Sequence, residues 1–247
     1  MFRRTHRLTN RTCLVSLALC LCASVIAASN SESIYYLVCL RPDPARTALP
    51  KDEGERMQAA HMANIQKMAD DGVLVAAGPF DDTPVTISGI FVMKAASLGQ
   101  AKAIAEGDPT VVGHRNLVDT FAWHGPPEIG TEYFRLHKSN PSTPENMQTR
   151  PFLMLYHGVA WAKLAAKRAS LLAAHEQFIE GLRKTGRLAA AGSVDDGGVQ
   201  ELAGIVVFRP GARAEAEAAL IDDPAVKAGL LRVEPHMWWC ADHVLPW

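Results

Sequence analysis

The sequence is short of cysteine and of charge bias, and each shortage removes a class of protein. Five cysteines occur in 247 residues, and Cys13, Cys20 and Cys22 share one apolar run near the N-terminus. Only Cys39 and Cys240 remain, at opposite ends of the rest of the chain. Two cysteines cannot make the disulfide framework of a small secreted scaffold, although a single bridge between them stays open. Each lies in a strand-like run, "YYLVCL" and "HMWWCADH", where a small buried thiol is the commoner role. There is no glycine-rich phosphate loop, no serine elbow and no close His or Cys pair at zinc spacing. Nucleotide, serine-hydrolase and zinc chemistries therefore lack support, and neither a cofactor nor a metal is expected.

What is present is an ordinary globular composition, 48% hydrophobic and 21% charged, behind an unusual beginning. Arg3, Arg4, Arg7 and Arg11 precede the uncharged run "CLVSLALCLCASVIAA", which ends at Ala27 and Ala28 before the polar "SNSES". That layout reads as a signal peptide over residues 1–28, too short in its apolar part for the ~20 residues of a spanning helix. The competing reading is an uncleaved anchor. An exported protein, periplasmic or extracellular, is expected. Without residues 1–28 the chain carries 21 basic against 26 acidic side chains, a net of −5, which argues against a nucleic-acid partner.

Two histidines then stand out. Met57, His61, Ile65 and Met68 are spaced as one stripe of a helix, and Leu171, His175, Ile179 and Leu182 repeat it; such a stripe normally faces a core. The register continues on both sides. His61 to Gly72 and His175 to Gly186 are each eleven residues, Gly72 to Gly78 and Gly186 to Gly192 are each six, and Gly89 to Asp108 and Gly204 to Asp223 are each nineteen. Asp108 to Trp123 and Asp223 to Trp238 are each fifteen. Only the loop from Gly78 to Gly89 differs, being one residue longer from Gly192 to Gly204, as a surface loop tolerates. The chain is an internal duplication, with units at 31–124 and 151–243. Between them, residues 125–150 are rich in proline and polar residues and read as a linker. Its "EYFRLH" is apolar enough to dock on a domain.

Each unit alternates strand and helix signals in the order βαββαβ. In the first, "SIYYLVCL", "VLVAAGPF", "VTISGIFVMK" and "LVDTFAWH" are strands, with helices over "EGERMQAAHMANIQKMADDG" and "SLGQAKAIAEGDP". In the second, the long helix is expected from Trp161 to Gly186. This order predicts an α+β fold of two ferredoxin-like units, each a four-stranded antiparallel sheet with both helices on one face. A single unit leaves the other face bare, so the two are expected to pack as an intramolecular pseudo-dimer. Gly78-Pro79 with Asp81 and Asp82, like Gly192-Ser193 with Asp195 and Asp196, reads as a hairpin turn or as the mouth of a pocket. Trp123, Trp238 and Trp239 end the fourth strands and read as packing aromatics, with ligand stacking as the alternative.

The helix histidine together with "GVLVAAGPFDD", "SGIFVMKAASLGQA" and "GDPTVVG" resembles the YciI-related (YCII) domain family. The resemblance is close over residues 34–124 and looser over 152–240. It implies a dimeric α+β barrel and a histidine and aspartate acting as a pair, here His61 with Asp108 and His175 with Asp223. It also implies relatives in aromatic breakdown. A carboxylate fixes an imidazole's tautomer and stabilises its protonated form, so such a pair can move protons near neutral pH. The expected activity is elimination or isomerisation on a small aromatic or carbonyl-bearing ligand, by a cofactor-independent lyase or isomerase. The second copy, further from the family pattern, is the one expected to keep a structural role only. The alternative is a non-catalytic periplasmic ligand-binding or structural module, in which each aspartate organises the turn before its proline and each histidine is a satisfied core group. The mature protein is expected to be free of membrane, as a monomer with an internal pseudo-dimer or as a higher homo-oligomer.

Overall fold

In the computed structural model, residues 33–195 and 201–247 are described; the expected signal peptide and Asp196 lie outside them. The first unit runs β1 (Ser33–Pro42), α1 (Lys51–Asp70), β2 (Leu74–Pro79), β3 (Gly89–Met93), α2 (Leu98–Glu106), α3 (Pro109–Val112) and β4 (Asn116–Gly125). After α4 (Thr131–Ser139) the plan repeats as β5 (Gln148–His157), α5 (Arg168–Lys184), β6 (Leu188–Asp195), β7 (Leu202–Phe208), α6 (Arg213–Leu220), α7 (Pro224–Lys227) and β8 (Leu231–Cys240). Gly72 and Gly186 follow α1 and α5 with φ of 72° and 73°, the left-handed position where glycine ends a helix without a Cβ penalty. Ser97 caps α2 by accepting from Gln100 N. The long helix of the second unit starts later than its sequence suggests, because Ala165–Lys167 form a 3-10 turn before it.

Each unit forms a four-stranded antiparallel sheet, and the two join edge to edge in the order β2-β3-β1-β4-β6-β7-β5-β8. One seam pairs Ala122, Trp123 and His124 of β4 with Asp195, Val194 and Ser193 of β6. The other brings β2 to β8 through a bridge between Phe80 and Trp238 and a bond from Asp81 N to Met237 O. The result is a barrel. Tyr35, Leu37 and Cys39 of β1 face its interior with Phe152 and Met154 of β5, while Val38, Leu40, Leu153 and Leu155 alternate outward under the helices. Both faces of these strands are buried, which is why they read as continuous apolar runs rather than alternating ones. The bare sheet faces are covered as expected, but by a shared interior and not by flat stacking. Cys39 and Cys240 are both free and buried, and burial pushes the Cys240 thiol up to about 12. The alternative of a bridge does not hold.

Burial decides the closure. Trp123, Trp238, Phe121 and Phe152 are each at most 3% exposed, and a large apolar side chain contributes roughly 1.5–3 kcal/mol on burial, against about 1 kcal/mol for a typical hydrogen bond. Seam geometry then dictates two of the duplicated glycines. A Cβ on Gly78 would lie 2.0 Å from Trp239 O, and one on Gly192 would lie 1.9 Å from His124 O. These glycines sit inside strands where backbone meets backbone, not in hairpin turns. One seam carries an added clamp. Asp82 accepts from His236 Nδ1 at 2.7 Å, pairs with Arg213 and accepts from Met237 N at 3.3 Å.

The linker is ordered. Ile129 is fully buried, and Tyr133 and Phe134 of α4 pack on the barrel interior. Ile129 N donates to Tyr35 Oη at 3.2 Å, and Gly130 N donates to Val244 O at 2.8 Å, so linker and C-terminal tail together stop one end of the barrel. Among the described residues no helix is long and apolar enough to cross a membrane. Gly192→Ala should lower stability by at least about 2 kcal/mol in urea unfolding, since overpacked backbone has nowhere to move. Gly211→Ala, with its nearest neighbour at 3.7 Å, should stay within about 0.5 kcal/mol; equal effects would contradict the seam argument.

Candidate functional site

Both histidine and aspartate pairs come together on the outside of the barrel, where the first helix of each unit passes the turn after the second. His61 Nδ1 lies 2.8 Å from Asp108 Oδ2, and His175 Nδ1 lies 2.5 Å from Asp223 Oδ2. The carboxylates are fully buried, and the histidine side chains are 14% and 15% exposed, so each pair is open from the imidazole side only. The aspartates also terminate the second helix as its alternative reading expects. Asp108 caps α3 by accepting from Thr110 N at 2.9 Å, and Asp223 caps α7 by accepting from Ala225 N at 2.8 Å. Capping and pairing are not exclusive: Asp223 holds the turn with Oδ1 and the histidine with Oδ2, and in Asp108 the capping Oδ1 also lies 2.9 Å from His61 Nδ1.

This geometry fixes the imidazole. An ionised carboxylate only accepts, so a neutral histidine beside it carries its proton on Nδ1 and leaves the Nε2 lone pair outward. Among the described residues neither Nε2 has a hydrogen-bond partner. In the first unit Asn64 Nδ2 and Thr110 Oγ1 also donate to Asp108, at 2.9 and 2.6 Å. Burial raises the Asp108 carboxyl, but the donors His61, Thr110 and Asn64 outweigh it and hold the group below its ordinary value. Asn64 and Thr110 escape a reading by repeats, because Phe178 and Ala225 stand at their places in the second unit.

The two pairs differ in what lies in front of them. His175 lines a cavity of about 560 Å³ between α5 and the outer face of the sheet, floored by Leu155, Val206 and Leu231. His61 instead stacks on Phe91, with ring centroids 5.9 Å apart. Register explains the difference: Phe91 pairs with Val38 and Ala77, and Val206 pairs with Leu153 and Ala191 at the equivalent point. The first unit has a ring where the second has a small side chain, and the copy expected to be only structural is the one that borders this cavity. Gly192, Ser193 and Asp195 line that space, as the pocket-mouth alternative expects. Trp161, stacked on His157 with centroids 3.4 Å apart, forms a wall; no repeat or spacing points to either residue. Trp123 and Trp238 pack inside the barrel, away from the cavity. No cluster of three or more metal-ligating side chains occurs among the described residues.

The model of the YCII-related domain matches the chain twice, over residues 34–123 and 151–239. A search of curated proteins found no match. Among solved structures, the chain is similar to an arginine variant of chlorite dismutase from Candidatus Nitrospira defluvii, with 11% identity and a TM-score of 0.54. It is likewise similar to that enzyme's complex with imidazole, at 12% identity and 0.54. Each likeness covers 86% of this chain and 94% of the other, and at such identity it bears on the fold alone.

Because folding lowers the Asp108 carboxyl, its stabilising effect is present above the unfolded value of about 4 and is lost as pH falls through the lower folded value. Urea unfolding from pH 5 to pH 2 should find Asp108→Asn less stable at pH 5 but with a smaller further loss on acidification than the wild type. Parallel acid profiles would contradict that role.

Proposed function

The chain belongs to the YCII-related domain family through both of its halves, and on that premise we propose that it binds a small aromatic or carbonyl-bearing molecule in the cavity beside His175 and moves a proton on it. The observation that carries this reading is the His175 imidazole, anchored at Nδ1 by a buried carboxylate and bordering a cavity of about 560 Å³. His175 Nε2 acts as general base or acid, and Asp223 keeps the tautomer and stabilises the imidazolium. The reaction class is elimination or isomerisation, without a cofactor. His61 and Asp108 repeat the arrangement with the Phe91 ring stacked on the imidazole and without bordering the cavity beside His175, and in this reading the first pair serves to hold α1 to the turn at α3. An exported location belongs to the same proposal and rests on the arginine-flanked apolar run of residues 1–28.

A second, non-catalytic reading draws on the capping bonds of Asp108 and Asp223, which serve the fold with or without chemistry. Two variants separate them. Val206→Phe gives the second unit the ring of the first; it should remain folded and lose the thermal stabilisation that cavity ligands give the wild type. His175→Asn, whose amide still donates toward Asp223, should melt within about 3 °C of wild type, under about 1 kcal/mol for a chain of this size, while turnover disappears. A melting loss well beyond that, with ligand stabilisation unchanged, would favour the structural reading.

A further inference from the structure

The two seams that close the barrel are built differently. At one, Ala122, Trp123 and His124 of β4 lie in register with Asp195, Val194 and Ser193 of β6. At the other, β2 meets β8 through the bridge of Phe80 with Trp238 and the bond from Asp81 N to Met237 O, and side chains carry the rest. Asp82 accepts from His236 Nδ1 at 2.7 Å and from Met237 N at 3.3 Å, and it pairs with Arg213 at the start of α6. The first seam has no such clamp to draw on, because Phe121 and Leu98 stand at the places of His236 and Arg213. Beyond the far end of the second seam, Gly130 N and Tyr133 N of the linker donate to Val244 O and His243 O of the tail. Linker and tail are thus joined to each other, and Ile129 N meets β1 at Tyr35 Oη.

A seam of this kind opens at low cost. Few backbone bonds break, and the charged groups regain hydration on exposure, which offsets much of their lost attraction. His236 adds to the effect. It is 2% exposed, and its Nε2 has no hydrogen-bond partner among the described residues, the Glu234 carboxylate lying 3.6 Å away; water satisfies that atom once the seam parts. We propose that the barrel is a clasp, hinged at β4 and β6 and latched at β2 and β8 by Asp82, whose second seam opens while the rest of the fold persists. The open form keeps one continuous eight-stranded sheet with β2 and β8 as its edges, in the order the strands already hold. Parting β4 from β6 instead would leave two sheets joined at one bridge.

Amide exchange of the full chain, followed residue by residue by NMR at pH 7, tests the latch. The Asp81 and Met237 amides should exchange at least about tenfold faster than the slowest amides of residues 122–124 and 193–195, as local opening below the global limit requires. Asp82→Asn keeps the shape and removes the charge; it should speed exchange at Asp81 and Met237 by about a further tenfold and leave the other seam unchanged. Arg213→Ala alters a side chain that is 39% exposed and should give a smaller acceleration at the same two amides. If Asp82→Asn does not fold, Arg213→Ala alone decides. Exchange at Asp81 and Met237 no faster than at the other seam, equal acceleration of both seams, or no acceleration in either variant would overturn the latch.

Discussion

The bare face and open edges of a four-stranded sheet are what the rest of this molecule resolves. With helices on one side only, each unit would expose an apolar sheet face to water and leave the edges of β2 and β4 unpaired. Joining β4 to β6 and β2 to β8 answers both demands at once, because the faces become one interior and the edges become seams. The price is steric. Backbone must approach so closely at Gly78 and Gly192 that no side chain fits, and the same approach aligns Trp123 and Trp238 within the core.

Closure also assigns the helices their place. With the interior filled by strand residues, α1 and α5 pack outside on Val38 and Leu40, or on Leu153 and Leu155. Their histidines then meet the turns at Asp108 and Asp223. A single carboxylate joins helix start, turn and imidazole, so the arrangement repeats whether or not both copies are used. Among the differences between the copies, one lies directly beneath the histidines, where Phe91 stacks on His61 and Val206 floors the cavity beside His175.

Much of this is legible in the sequence, for identifiable reasons. The duplication and the βαββαβ order follow from glycine, aspartate and tryptophan spacings, because backbone constraints recur wherever the fold does. The contact of His61 with Asp108 follows from the repeat and the family resemblance rather than from distance along the chain. What escapes is whatever depends on three-dimensional juxtaposition of residues without a repeat: the Asp82, His236 and Arg213 clamp and the stack of His157 on Trp161. The cavity escapes for a subtler reason. A phenylalanine and a valine are equivalent in an apolar strand pattern, and only the register of β3 and β7 reveals that one stacks on a histidine where the other floors a cavity.

The central claim is that the second histidine meets the ligand and the first does not. It is tested most directly by nitrogen NMR of the imidazole rings, recorded with and without an aromatic compound that raises the melting temperature. The account predicts that the Nε2 resonance of His175 shifts on binding while that of His61 stays fixed. A shift at His61, or none at either ring, would contradict it.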